Sequence, residues 1–333
     1  MSINLLHITV ALTFGLRTVQ AVDSEPPKPI LNGFTADPEA RVFGDAYYIY
    51  PTVDRDEWKT TEFRVWSSRD LIHWKDEGAI LDIAGGDVSW AKLYAWAPGA
   101  ISRDGKYYLY FCAEKRIGVA VADDPTGPFK DALGRPLVQP GDFPELKWQQ
   151  IDPFPFIDGN GDAYLFWGSG RLYVRELAPD MISFDGQLHE ITPKFEGGNF
   201  REGIVVFKRE DVYYFMWSEN DARSPDYRVT YGTSDSPVGP IRVAEDRIVL
   251  SRKGPVIGTG HHSVINVPGT DRWYMVYHRH AIPDGSGYKR QTCIARMEFD
   301  ADGTIKPVDP MSPAFGTGDV GEPIVNGRGD GHP

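Results

Sequence analysis

Three carboxylates, an indole and an imidazole recur at matching places in this chain, and their types point to acid–base chemistry. Asp37, Trp96, Asp152, Glu202 and His261 each introduce an apolar, strand-like run. Bringing three carboxylates together costs Coulomb energy on the order of several kcal/mol at low effective dielectric, so something must compensate it. Hydrolysis of a glycosidic bond uses such a set. One carboxylic acid protonates the leaving oxygen, and one carboxylate activates water or attacks the sugar. A third carboxylate nearby raises the pKa of the acid and holds it protonated near neutrality. An aromatic side chain such as Trp96 would serve as a platform for the sugar ring.

Each of these residues has a plainer reading. Asp37 and Asp152 precede prolines and would suit turns. Glu202 beside Arg201 would suit a surface ion pair, which is usually weak. Trp96 would fit a core, and Arg290 beside Lys289 a solvated charge. His262 reads as a hydrogen-bonded structural histidine. What favours a site is recurrence in register.

The elements that must position these residues repeat. Each unit has a leader, an apolar strand, a polar turn and an aromatic strand, such as AYYIY at 46–50 or RWYMVYH at 272–278. The leaders recur at roughly 50- to 60-residue intervals, the range of propeller blades and other arrays. The second half of each unit repeats too: VWSSRD with LIHW answers to GVAVADDPTGPF, RLYVRELAPDMISF, VTYGTSDSPVGPI and CIARMEFDADGTI. Two hairpins per unit make a four-stranded antiparallel blade. The expectation is therefore an all-β, five-bladed β-propeller over 30–315, whose leaders meet at one end of the central axis. A linker at 22–29 precedes it, and an irregular tail at 316–333 follows. The turn at Asp158 to Asp162 superficially resembles a calcium loop but lacks its closing glutamate, so it reads as a hairpin turn. The acidic run Asp54-Arg55-Asp56 likewise invites a metal reading.

Composition narrows the partners. The chain has 333 residues, a net charge of -12 and a pI near 5.1. That argues against nucleic acid or an anionic membrane surface. Residues 1–21 read as a secretory signal, with an apolar run from Leu5 to Leu16 and a small-x-small site at Val19-Gln20-Ala21. The run is too short for a membrane span. Cys112 and Cys293 both fall in strand-like runs and read as two buried thiols.

The motifs ADPE at 36–39, WAPG at 96–99, IDPFPFID at 151–158, REG at 201–203 and GTGHHSV at 258–264 resemble glycoside hydrolase family 43. They occur in order across about Ile30 to Pro310. The resemblance implies a five-bladed propeller that hydrolyses arabinofuranosides and xylosides with inversion and requires no cofactor. By the same resemblance Asp37 would be the general base and Glu202 the general acid. Asp152 would tune the pKa of Glu202 and orient it. His261 matches a position that in many members binds a central calcium ion, directly or through water. Arg290 looks like a substrate-contacting arginine. One departure is Gly99, where the family often has glutamate. The implied protein is a secreted, monomeric, exo-acting α-L-arabinofuranosidase on plant cell-wall arabinan or arabinoxylan. Exo action follows if the segments Asp82 to Tyr94 and Arg223 to Tyr227 wall off a pocket. The alternatives are a β-xylosidase or galactofuranosidase of the same family. From another class, a sugar-binding propeller without catalysis would be expected to lack one of the three carboxylates, and none is missing.

Overall fold

The computed structural model describes residues 25–316 and 321–324, so the expected export signal and most of the tail lie outside the described residues. Strands fill five antiparallel sheets, each made of strands consecutive in sequence. The first holds β1 (Thr35–Phe43), β2 (Ala46–Val53), β3 (Glu62–Ser68) and β4 (Lys75–Asp82). The second holds β5 (Trp96–Arg103), β6 (Lys106–Ala113), β7 (Arg116–Ala122) and β8 (Lys130–Asp131). The third holds β9 (Phe154–Ile157), β10 (Ala163–Trp167), β11 (Tyr173–Leu177) and β12 (His189–Glu190). The fourth holds β13 (Glu202–Arg209), β14 (Val212–Glu219), β15 (Arg228–Ser234) and β16 (Arg242–Leu250). The fifth holds β17 (Gly260–Asn266), β18 (Trp273–His280) and β19 (Arg290–Met297). The chain is the expected all-β five-bladed propeller.

Burial explains the aromatic strands. A blade has neighbours on both faces, so both sets of alternating side chains must be apolar. In β2, Tyr47 and Ile49 pack with Val276 and Ile294 of the fifth blade. Tyr50, on the other face, packs with Phe63 and with Phe111 of the second blade. Each fully buried large side chain contributes roughly 2 kcal/mol or more. Among the described residues the ring closes by this packing, with no strand shared between the first and last blades. The expected tail is irregular but tied down where it is described: Glu322 accepts from the Tyr274 hydroxyl at 2.8 Å and pairs with Arg272 at 2.8 Å.

Three local expectations come out differently. Among the described residues the fifth blade has three strands, because the segment expected to supply its outer strand forms only an isolated bridge between Phe299 and Ile305. Phe299 instead sets its ring edge-on against Tyr214 and Trp273, and Val308 N–H donates to the Val249 carbonyl of β16. Aromatic contact with the fourth blade wins over strand pairing. The LIHW run is a turn, capped by the Asp70 carboxylate on the N–H groups of Ile72 and His73, and the outer strand follows it. The Asp54-Arg55-Asp56 run holds no metal-like cluster; Asp54 has another task. The turn at 158–162 is a hairpin turn as expected, and both cysteines are buried free thiols.

Candidate active site

The inner strands deliver the polar residues through a repeated irregularity. In β1, β5, β13 and β17 one extra residue is inserted where the strand begins. In all five blades a residue at this point has positive φ: Asp37 at 46°, Ala97 at 35°, Asp152 at 57°, Gly203 at 65° and His261 at 26°. For a side-chain-bearing residue that conformation costs about 1 kcal/mol or more, and such strain clusters at functional sites. The five leaders are thus not equivalent by register. Asp37, Asp152 and His261 occupy one ring, while Trp96 and Glu202 stand one residue earlier.

The bent backbones are capped from the preceding blade. Ala97 N–H donates to Thr52 Oγ1 at 2.7 Å, His261 N–H to Ser218 Oγ at 2.9 Å and Asp37 N–H to His278 Nδ1 at 3.1 Å. The position in the third blade that should cap Gly203 is Gly168, whose N–H donates to Ile151. A Cβ on Gly168 would fall 1.9 Å from the Arg171 carbonyl, and its φ is 146°. No side chain fits there. The Asp152 carboxylate takes its place, accepting from Gly203 N–H at 3.0 Å. Asp152 therefore holds the backbone beside Glu202.

Around Asp37 the charges are dense. Arg290 Nη1 donates to Asp37 Oδ1 at 2.8 Å, while its Nε, Nη2 and backbone N–H donate to Asp54 at 2.9, 2.7 and 3.0 Å. His261 Nδ1 lies 3.3 Å from Asp37 and 3.6 Å from Asp152. Because His278 Nδ1 accepts the Asp37 N–H, its proton sits on Nε2 and the ring is neutral. Its pKa is pushed down to about 3, chiefly by burial and by Arg290. Burial pushes Asp37 upward, but the Arg290 guanidinium and then His261 outweigh it and hold the carboxyl well below its ordinary value. Asp152 moves the other way. Burial, then the charges of Glu202 and Asp37, push it well up. Glu202 is also raised, by burial, against the lowering effects of Arg201 and of the Tyr227 hydroxyl that donates to it at 3.0 Å. One carboxylate is poised ionised and two are poised to hold a proton.

Asp37, Trp96, Asp152, Glu202, His261 and Arg290 all line one cavity of about 330 Å³. Tyr94 and Arg223, from the two segments expected to form walls, line it as well. Trp96 is not core: it packs edge-on against Trp58, with centroids 6.2 Å apart, and its Nε1 donates to the Trp58 carbonyl at 2.8 Å. Trp58 in turn sits 4.6 Å from the Tyr288 ring. Gly99 supplies no side chain to the cavity, because a Cβ there would lie 2.3 Å from the Pro153 carbonyl. His262 is buried, and among the described residues neither ring nitrogen has a hydrogen-bond partner, so the expected bond is not found there.

Sequence reading missed Asp54, Trp58, Tyr227 and His278 as functional residues. Asp54 could have been sought as the acidic residue that directly follows an aromatic strand; Trp58, in a three-residue turn at Asp56–Trp58, carried no periodic signal. A calcium ion at His261 would draw few ligands from the residues present, and water would have to supply the rest. A calcium ion takes six to eight oxygens. Here the adjacent carboxylates are engaged by Arg290 and Gly203 N–H, and no group of three metal-holding side chains is found among the described residues.

The comparisons with known proteins agree with this geometry. The model of the glycosyl hydrolases family 43 matches residues 26–305. A β-D-galactofuranosidase of Aspergillus niger is 36% identical, over 84% of this chain and 84% of its own. Xylosidase/arabinosidase 43A of Humicola insolens is 30% identical, over 84% of this chain and 98% of its own. The solved α-L-arabinofuranosidase of Clostridium thermocellum superposes with a TM-score of 0.69 at 32% identity, covering 84% of this chain and 95% of that one. With its blades, its buried carboxylates and these matches in agreement, the chain belongs to glycosyl hydrolase family 43 and is a glycosidase.

Proposed function

We propose that this protein is an inverting, exo-acting α-L-arabinofuranosidase that works as an exported monomer on plant cell-wall arabinan, arabinoxylan or their oligosaccharides. The observation that carries it is the split among three buried carboxylates at one cavity: Asp37 held ionised, Asp152 and Glu202 pushed toward the proton-bearing form. Asp37 takes a proton from water as that water attacks the anomeric carbon. Glu202 gives its proton to the departing glycosidic oxygen. Asp152 holds the Gly203 backbone and, through repulsion with Glu202, favours one shared proton on the pair. Arg290, forked onto Asp54, keeps Asp37 charged and offers its remaining face to the sugar. Trp58, Tyr94 and Trp96 supply the apolar wall, which favours a pocket for one terminal sugar. The export reading rests on the N-terminal sequence.

Hydrolysis of aryl α-L-arabinofuranoside, β-D-xyloside and β-D-galactofuranoside by wild type and Glu202→Ala tests the reading. Aryl leaving groups need little protonation, so the variant should keep measurable rates on them and lose an arabino-oligosaccharide. Proton NMR of the first-formed sugar should show inverted configuration; retention would remove Asp37 as a base. A galactofuranoside preference is the second reading, favoured by the Aspergillus niger relative, and a xyloside preference would swap the sugar but keep the mechanism.

A further inference from the structure

A second cavity, of about 450 Å³, adjoins the first. Lys115, Gln149 and Arg201 line both, so the two share a wall. Beyond this shared wall the second cavity is bordered by Trp148, Ser169 and Arg171, and no acidic side chain lines it. Trp148 is 71% exposed, in a chain whose other tryptophans are largely covered. A single exposed tryptophan needs no explanation. This one sits on a backbone fixed at several points. Gln150 Nε2 donates to the Trp148 carbonyl at 2.8 Å, and the same side chain accepts from the buried indole of Trp167 at 2.7 Å. Gln150 N–H donates to the Lys115 carbonyl at 3.0 Å, and Gln149 Nε2 donates to Ser169 Oγ at 3.1 Å. Gly170 N–H donates to the Arg201 carbonyl, 2.8 Å away. Rigid backbone under an uncovered indole is a preformed surface, and ordering it on binding costs little.

We infer that this second cavity is a saccharide subsite, in which Trp148 stacks on a sugar of the chain still attached to the leaving oxygen while Gln149, Ser169 and Lys115 bond its hydroxyls. The inference rests on the proposed glycosidase reading of the first cavity. The chemistry fits a sugar in both respects. A pyranose or furanose ring has an apolar C–H face that an indole covers, and its hydroxyls need convergent polar partners. The shared edge at Lys115, Gln149 and Arg201 selects the occupant: a chain whose terminal sugar lies among Asp37, Asp152 and Glu202 leaves that cavity toward the second one. Arg171 is turned to Glu190, with which it pairs at 2.9 Å, and Lys115 makes no ion pair among the described residues. The subsite is therefore polar and modestly cationic, and it accepts a neutral chain.

The test compares kcat/KM on linear arabinotetraose and xylotetraose with that on the matching aryl glycosides, for wild type, Trp148→Ala and Trp148→Phe. In wild type, kcat/KM should rise from disaccharide to tetrasaccharide. In Trp148→Ala the tetrasaccharide-to-aryl ratio should fall about tenfold, the scale of removing one apolar stacking surface, and Trp148→Phe should restore most of it. A ratio that does not move, or equal losses on both substrates, would overturn the subsite. If wild type hydrolyses none of these glycosides, the glycosidase reading has failed, and calorimetry with the same tetrasaccharides then decides. Weaker binding by Trp148→Ala keeps the subsite, whereas equal or absent binding removes it.

Discussion

Asp37 and Glu39 lie two residues apart in β1, both buried and both beside an arginine, yet their carboxyls move in opposite directions. Glu39 meets Arg41 at 2.5 Å, and that arginine is used up by the Pro155 carbonyl at 3.0 Å and the Phe154 ring at 4.7 Å. Burial raises Glu39, and Arg41 only partly offsets it. Asp37 experiences burial too, but Arg290 reaches it from the fifth blade, anchored by a second carboxylate, with His261 adding to the effect. The first pair closes a local contact across the axis and lines neither of the two cavities described. The second leaves its carboxylate on the cavity wall. Burial alone does not make a catalytic carboxylate. What matters is whether other blades bring enough positive charge to keep it ionised while it remains accessible.

That contrast can be broken from either side. Asp37→Asn should lower kcat on an arabino-oligosaccharide by about 10³-fold, near the scale of a lost general base, while steady-state thermal melts move comparatively little because Arg290 keeps Asp54. Arg41→Met should do the reverse. It strands Glu39 in the interior without a counter-ion and should cost about 3 kcal/mol in urea unfolding, with kcat of the folded fraction near wild type. A large loss of kcat in Arg41→Met with stability intact would show that the two carboxylates are not separable. The penalty should shrink below pH 4.5, where Glu39 protonates in the unfolded chain as well.

The smallest effect sharpens the sign. Glu202 has a raised pKa in the fold, so its stabilising contribution is complete below its ordinary 4.5 and is lost as pH rises through the folded value. Glu202→Gln cannot ionise, and it should raise the melting temperature at pH 7 by a few degrees and not at pH 4. Asp37 runs the opposite way: its contribution is present above 3.8 and is lost as pH falls through its depressed folded value. The pH–rate profile should accordingly keep its acid limb below the ordinary aspartate range and its basic limb above the ordinary glutamate value. A stability gain in Glu202→Gln that is equal at both pH values would contradict a raised Glu202.

Much of the site could be read from one chain because the blades repeat. Asp37, Asp152 and Glu202 stand out as polar residues at the starts of otherwise apolar strands, and a propeller brings strand starts to its axis whatever lies between them. Arg290 was legible only through its motif. Asp54, Trp58 and Tyr227 were not legible as functional residues, since each acts on a partner from another blade or loop: Asp54 on Arg290, Trp58 on Trp96, and Tyr227 on Glu202. The fourth strand of the last blade was expected from its hairpin-like sequence and is missing because Phe299 finds a better aromatic partner in the fourth blade.

The residue pattern alone established the period of the units, the apolar and aromatic runs that leave every blade apolar on both faces, and the chemical types placed at the strand starts. These are local properties, carried by composition and spacing. Only the tertiary structure decided which leaders share a ring, because a one-residue bulge offsets Trp96 and Glu202 from Asp37, Asp152 and His261 without any mark in the residue pattern. It also decided which carboxylate is ionised. That depends on charges within a few ångströms, and those charges come from residues as far apart in sequence as Asp37 and Arg290.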